Sequence, residues 1–517
     1  MAWLRSRQVW LVTVSVVVVM VLFVGLSAVQ GRPGFPLDDG WIHQTYARSF
    51  ARNGRFEFVP GVVSAGSTSP LWTLLLAVGY VLRLPYLLWA YLLGGLSLWW
   101  LAVASLRLWQ LLWPEWDDKG WLPGVSVVLA WPLVWAAASG METILFAAMG
   151  LQIAVILTQL TLKSDSKASA AKTIVLLGVL SGLLILVRPD GLVLLLLVVF
   201  GLLLPGSWSQ RLRHLLVYGI TAVIPLLPYF AFNYYTSGFI WPNTFYAKQT
   251  EYQVLLTNPI WLRALHLLYF SAGGPEQGWQ GMSGVQLLLL PGLIVAGMLA
   301  VQEDWVRRRL LYTLPLLWAG GHVVLYAWRL PVTYQHGRYL LPAIPLWILF
   351  GLAGWLGIFQ RVGNGRLGRV GKQVAGLTFI FLLLFFTVLG AQTYAADVAF
   401  IEGEMVTVAH WLAQNTPEDA LVASHDIGAI GYFAERPLLD LAGLISPEII
   451  PHLADEQTLG NHLMESDASY LVTAPGWPYT DIIKAENVEL LYTTNYQWTI
   501  EQGENNMSVY SLGNSRP

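Results

Sequence analysis

Two adjacent carboxylates, Asp38 and Asp39, follow the first long apolar run of a 517-residue chain in which only 12% of residues are charged. A carboxylate at a membrane surface can take the proton of a hydroxyl that attacks a carbon centre. One of the pair could equally cap the helix-like run at 41–51, where Trp41, Thr45, Arg48 and Arg52 recur at helical spacing. Glu142, in SGMET, is a third acid at a boundary between apolar runs, where a helix N-terminus would also favour it. Asp38, Asp39 and Glu142 are therefore the candidate catalytic acids. Glu142 could also share a divalent cation with Asp38 or Asp39, and the sequence fixes no cofactor.

Cations outside the cytoplasm need a reason, because positive charge is retained inside. Arg188 (RPDG), Lys248 (PNTFYAK), His336 and Arg338 (QHGRY) are candidates for gripping a phosphate. The plainer readings are an Arg188–Asp190 turn pair and headgroup snorkelling by Lys248. His43, Asp190, Asn243 and Tyr246 lie beside these groups in sequence and are expected to touch substrate. If a sugar is carried on a polyprenyl phosphate, the leaving phosphate needs no protonation. Cations to stabilise its charge and one base for the acceptor hydroxyl then complete an inverting displacement.

The elements that must position these groups are apolar. Hydrophobic residues make up 56% of the chain and include 25 Trp, which is a polytopic membrane composition. Zero cysteines exclude disulfides and thiolate metal sites, no basic domain exists to hold nucleic acid, and the Gly-rich loops lack the ending of a nucleotide phosphate loop. About eleven spans are expected, near 9–29, 86–112, 121–139, 141–161, 172–188, 190–205, 211–236, 284–301, 309–328, 339–360 and 373–395.

Basic clusters at Lys163/Lys167/Lys172, Arg211/Arg213, Arg307–Arg309 and Arg361/Arg366/Arg369/Lys372 place four loops in the cytoplasm, with Arg5 and Arg7 holding the N-terminus there. The parity works only if 70–82 lies along the outer interface rather than crossing. All the candidate residues then fall at outer ends of spans, and a transporter's midplane charges are missing. The loop at 237–283, with five glycines at 273–284, is expected to order over a donor. The tail at 397–517 reads as a small α/β domain: a helix at about 400–415, then strands at ALVAS, AIGYF, PLLDL, YLVT and VELLYT.

LDDGWIHQTYARSFARNGRFEFVPG, GSTSPLW, SGMET, VRPDG, PNTFYAK and GRYLLP, in that order, resemble the polytopic GT-C glycosyltransferases. The nearest likeness is to the mycobacterial terminal β-arabinofuranosyltransferase family. Thr45 and Val59 depart from that family's pattern.

The resemblance implies a GT-C membrane domain at 1–396, with a catalytic first outer loop at 30–85, and an extracytoplasmic domain at 397–517. It implies a multi-pass protein of the plasma membrane that takes a polyprenyl-phosphate sugar, a pentofuranose in the nearest relatives, to a glycan or glycolipid. Asp38 is implied as the base, with Asp39 in reserve. The rival readings are a lipid-linked-sugar flippase and a non-catalytic glycan-binding scaffold.

Overall fold

A computed structural model describes residues 6–162, 167–203, 207–271, 286–302, 306–363, 365–476 and 479–513, apart from 480 and 486. The loop glycines at 273–284, Lys163 and Arg5 lie outside them, as do the side chains of Lys167 and of the Arg307–Arg309 cluster.

Among the described residues, seven helices are long and apolar enough to cross a membrane: Arg7–Gln30, Tyr86–Leu112, Thr143–Leu162, Ala170–Val187, Trp208–Ser237, Tyr334–Arg361 and Arg366–Asn415. The other expected spans form differently. The run at 121–139 breaks at Leu129 and Ala130 into Trp121–Val128 and Trp131–Ala137, the second with proline in its first turn. Leu192–Leu203 and Gln286–Gln302 are short, and Val306–Arg329 opens with three arginines. Gln286–Gln302 packs tightly on Ile344–Arg361 because glycine faces glycine. A Cβ on Gly354 would stand 1.7 Å from the carbonyl of Gly292, so the backbones meet as small residues allow within membranes.

The segment between the first two long helices, 31–85, holds the helix Asp39–Asn53, a hairpin of β1 (Glu57–Val59) and β2 (Val62–Val63), and the helix Pro70–Val81. A Pro60-Gly61 turn closes the hairpin, with Gly61 at φ 81. Pro70–Val81, at 12 residues, rises about 18 Å, short of a bilayer core of about 30 Å. It packs on Asp39–Asn53, and its Trp72 donates to the carbonyl of Gly140 at 2.7 Å. The described part of 237–283 is largely helical, with Asn243–Glu251 and Ile260–Ser271 where a long loop is expected.

The C-terminal part is built on five strands: β3 (Val422–Ser424), β4 (Leu438–Asp440), β5 (Tyr470–Thr473), β6 (Glu489–Thr493) and β7 (Ser508–Ser511), in the order β4-β3-β5-β7-β6. β3 pairs in parallel with β4 and β5, and β7 runs antiparallel between β5 and β6. Four of the five predicted strands are present. AIGYF is instead a wide helical turn, Ile430–Ala434, since a short apolar run does not distinguish strand from buried helix. Here glycine at 428 and 431 lets the turn press onto Asp38 and Phe58. β7 carries no strong alternation and escapes the sequence reading.

A π-helical turn, Glu402–Val406, interrupts the long helix that enters this domain. It turns the fully buried Glu404 toward the sheet, where the carboxylate accepts from Thr494, Thr499, Asn506 and the Met507 N–H. Four donors are what a buried carboxylate needs to avoid a large desolvation cost.

Candidate active site

A cavity of about 410 Å³ lies where the segment after the first long helix, the SGMET and RPDG turns, the Asn243–Glu251 helix and the QHGRY turn converge. Asp39, His43, Glu142, Arg188, Asp190, Lys248 and Arg338 line it. Seven of the eleven residues singled out in the sequence thus meet in one place, although they span 300 positions.

Asp39 opens its helix, and its Oδ2 accepts from Nη1 of Arg338. Burial alone would raise its carboxyl, but Arg338 and then Lys248 more than reverse this and hold it well below the usual carboxylate range. Arg338 also donates to the hydroxyl of Tyr339 at 3.0 Å, and Lys248 Nζ donates to the same oxygen at 3.1 Å. One phenol therefore spaces two cations beside one carboxylate.

The opposite wall is a second ionic group. Arg188, 6% exposed, donates to Asp190 at 2.9 Å, to Glu142 at 3.2 Å and to Tyr326 at 2.7 Å. Its position before Pro189 holds it extended, at φ -155. Tyr326 donates to Asp190. His43 Nε2 stands 3.1 Å from Glu142 Oε2, and His43 Nδ1 has no hydrogen-bond partner among the described residues. Glu142 is held low, at about 2: burial opposes this, and His43 followed by Arg188 overcomes it. Much of the remaining lining is apolar, including Ile42, Leu192, Val193, Trp241, Leu325 and Trp328.

Four expected residues do not line the cavity. Asp38 turns the other way, and its two oxygens accept from the N–H groups of Gly428 at 2.6 Å and Ala429 at 2.7 Å. At a helix start, neighbouring side chains diverge by about 100°, so the acids of a tandem cannot both face one space. The arrangement of Asp38, Asp39 and Glu142 around one cation is therefore not formed. Among the described residues, no group of three or more His, Cys, Asp or Glu is placed to hold a metal ion.

His336 points away from the cavity. It meets Asp397 at 2.8 Å and packs edge-on to Trp131 and Trp135. Gln335, His336 and Gly337 all have positive φ (52, 58 and 65), a tight left-handed turn that sends His336 and Arg338 to opposite sides. For a non-glycine residue this costs about 1–2 kcal/mol, and such strain gathers where placement matters. Asn243 is buried, with its N–H on the carbonyl of Ala65, and Tyr246 packs on Phe239 and Phe245. Their neighbours Thr244, Phe245 and Lys248 occupy the cavity face of that helix.

Sequence reasoning missed Tyr326, Arg329 and Tyr339. Arg329 lines the cavity, donates to the carbonyl of Phe245 at 2.8 Å and stacks on the Phe245 ring. The argument that selects Arg338, a cation at an outer span end, selects Arg329 as well. Nothing in spacing alone marks the tyrosines.

A pH effect follows from Asp38. Burial, then Asp426, raises its carboxyl from 3.8 to about 7, against the pull of the two N–H groups. The folded state thus holds the extra proton between those values. The stability this residue contributes is present below about pH 4 and lost as pH rises through about 7. Asp39 and Glu142, both lowered, do not titrate in that window. Unfolding temperature should therefore fall between about pH 5 and pH 7.5 more in the wild type than in Asp38→Asn; equal falls would contradict the assignment.

No curated protein matches the sequence. Residues 393–510 match a family described as a domain of unknown function, DUF8728. Among solved structures, ArnT from Cupriavidus metallidurans bound to undecaprenyl phosphate is similar over 99% of this chain and 100% of its own, at 16% identity and a TM-score of 0.57. The archaeal oligosaccharyltransferase AglB from Archaeoglobus fulgidus, in complex with an inhibitory peptide and a dolichol-phosphate, is similar over 94% of this chain and 72% of its own. Its identity is 10% and its TM-score 0.63. The arabinofuranosyltransferase AftD from Mycobacteria is similar over 98% of this chain but 42% of its own, at 14% identity and a TM-score of 0.50. The fold is the GT-C glycosyltransferase fold, a helical membrane bundle with a small C-terminal sheet domain.

Proposed function

We propose that this protein is an inverting glycosyltransferase that moves a sugar from a polyprenyl phosphate to an extracytoplasmic glycan or glycolipid, with Asp39 as its base. The observation that carries the reading is the two-sided cavity: a carboxylate flanked by Arg338 and Lys248, opening onto an apolar wall. A lipid phosphate has the same two-sided chemistry. Undecaprenyl phosphate and dolichol-phosphate bound to two proteins of this fold support the choice of donor.

In the mechanism, Arg338, Lys248 and, from the far wall, Arg329 take up the donor phosphate, while Arg188 adds positive charge to that wall and stays paired with Glu142 and Asp190. The acceptor oxygen forms its bond to the anomeric carbon as the carbon–oxygen bond to phosphate breaks. The phosphate leaves with the electron pair, and the acceptor's proton passes to Asp39. With Arg338 and Lys248 turned to the phosphate, Asp39 loses its compensating charge and becomes a stronger base only when donor is bound. His43 Nδ1, unpartnered, is available to accept from a sugar hydroxyl.

In this reading the cavity opens to the outer face of the plasma membrane. Residues 397–517 form the extracytoplasmic domain, and a pentofuranose is one candidate sugar. Purified protein given radiolabelled polyprenyl-phosphate sugars and membrane glycolipid should release polyprenyl phosphate and form a product of inverted anomeric configuration. Retained configuration, or no release with any donor, would overturn the proposal.

A further inference from the structure

Asp38 and Glu251 are both outside the cavity lining, yet each sits beside a residue inside it. Asp38 immediately precedes Asp39. Glu251 is three residues from Lys248 on the Asn243–Glu251 helix, one turn along the same face. Both are held by a single short loop of the C-terminal domain, at 425–429. Gly428 and Ala429 donate to the two oxygens of Asp38 at 2.6 and 2.7 Å. His425 Nε2 stands 3.5 Å from Glu251, while its Nδ1 lies 3.2 Å from Asp426. Burial opposes a charge on His425, but Asp426 and Glu251 raise it to about 10, so the ring carries a proton at neutral pH.

The fit at Gly428 is close. A Cβ there would stand 2.1 Å from the carbonyl oxygen of Asp38 and 2.7 Å from its carboxylate, so any side chain would push the Asp38–Asp39 turn away.

We infer that the loop at 425–429 is a positioning element, which fixes the Asp39 turn and the Lys248 helix at once and so sets the distance between base and phosphate-binding cation. The inference rests on the proposed roles of Asp39 and Lys248. It gives the 425–429 loop, which does not line the cavity, a part in the chemistry without contact to substrate. Misplacing a reacting group by about 1 Å costs on the order of a hundredfold in rate.

Steady-state kinetics of the full-length protein with a labelled polyprenyl-phosphate sugar test it, with thermal unfolding of each variant in detergent as the measure of folding. Gly428→Ala should lower kcat by about a hundredfold with donor KM unchanged, because it moves the base. His425→Ala should raise donor KM by about tenfold with kcat little changed, because it releases the Lys248 helix. His425→Lys, which keeps a cation opposite Glu251, should restore KM. If Gly428→Ala does not fold, Asp38→Asn, which keeps the volume and removes one N–H acceptor, should show the same kcat-only loss.

Wild-type kcat and KM in the folded variants would overturn the inference. So would kcat and KM moving together in both, as general loosening would produce. Asp39→Asn in the same assay separates the two levels of the argument. If it is inactive while the loop variants behave as wild type, only the loop inference fails; if it retains full transfer, the functional reading fails.

Discussion

Asp39→Asn is expected to lower transfer by about a thousandfold while leaving donor binding intact or tighter. A positioned general base contributes about 10²–10⁴, and among the described residues the cavity offers no second free carboxylate to replace it. Glu142 and Asp190 both line the space, but each is committed to Arg188. The rise in donor affinity is the more specific part. Asn removes the negative charge that now occupies Arg338 Nη1, so that Nη1 and the full positive charge of Arg338 and Lys248, both resting on the Tyr339 hydroxyl, face the phosphate uncompensated. Equilibrium binding of labelled polyprenyl phosphate and single-turnover transfer, run on the same preparation, separate the two effects. Asp38→Asn, whose side chain faces Gly428 and Ala429, should not tighten donor binding.

Arg188→Met should be the most destabilising single change in the site. It removes the shared cation of Glu142 and Asp190, two carboxylates at the cavity wall, and leaves Glu142 facing His43 and Asp190 facing the Tyr326 hydroxyl without the arginine's charge. Breaking a buried ion pair from one side costs about 3–5 kcal/mol. Glu142→Gln in the Arg188→Met background should recover part of that loss, since the unpaired charge is then gone, although Glu142→Gln alone destabilises. The coupling can be read from unfolding temperatures of the two single variants and the double variant in detergent. Strict additivity would show that Arg188 and Glu142 do not share their charges as the geometry indicates.

Much of this site was legible because membrane proteins leave few polar residues without a purpose. In a chain 12% charged, sorting loops by basic residues and asking which ionisable groups remain outside was enough to select Asp39, Glu142, Arg188, Asp190, Lys248 and Arg338. That argument stops at the residue and does not reach the direction of the side chain. Asp38 and Asp39 look alike in sequence. What separates them is a pair of N–H groups 390 residues away, on a turn that its own sequence disguises as a strand. His336 and Arg338 are separated in the same way by three consecutive positive φ values, which the residue types Gln335 and His336 give no reason to expect. The span count was less legible, because proline and short runs break several apolar stretches into pieces that only packing assigns. Arg329 was within reach of the same charge argument and was passed over. Tyr326 and Tyr339 were not, since an aromatic at a span end is ordinary until its hydroxyl is seen between charges.

The central claim is that one cavity places a lipid phosphate beside Asp39. A cryo-EM structure of the full-length protein with polyprenyl phosphate tests it most directly. The account predicts the phosphate in contact with Arg338 and Lys248, the Arg338–Asp39 contact opened, and the isoprenoid chain along the wall at Trp241 and Trp328. A phosphate bound elsewhere, with Arg338 still closed on Asp39, would contradict it.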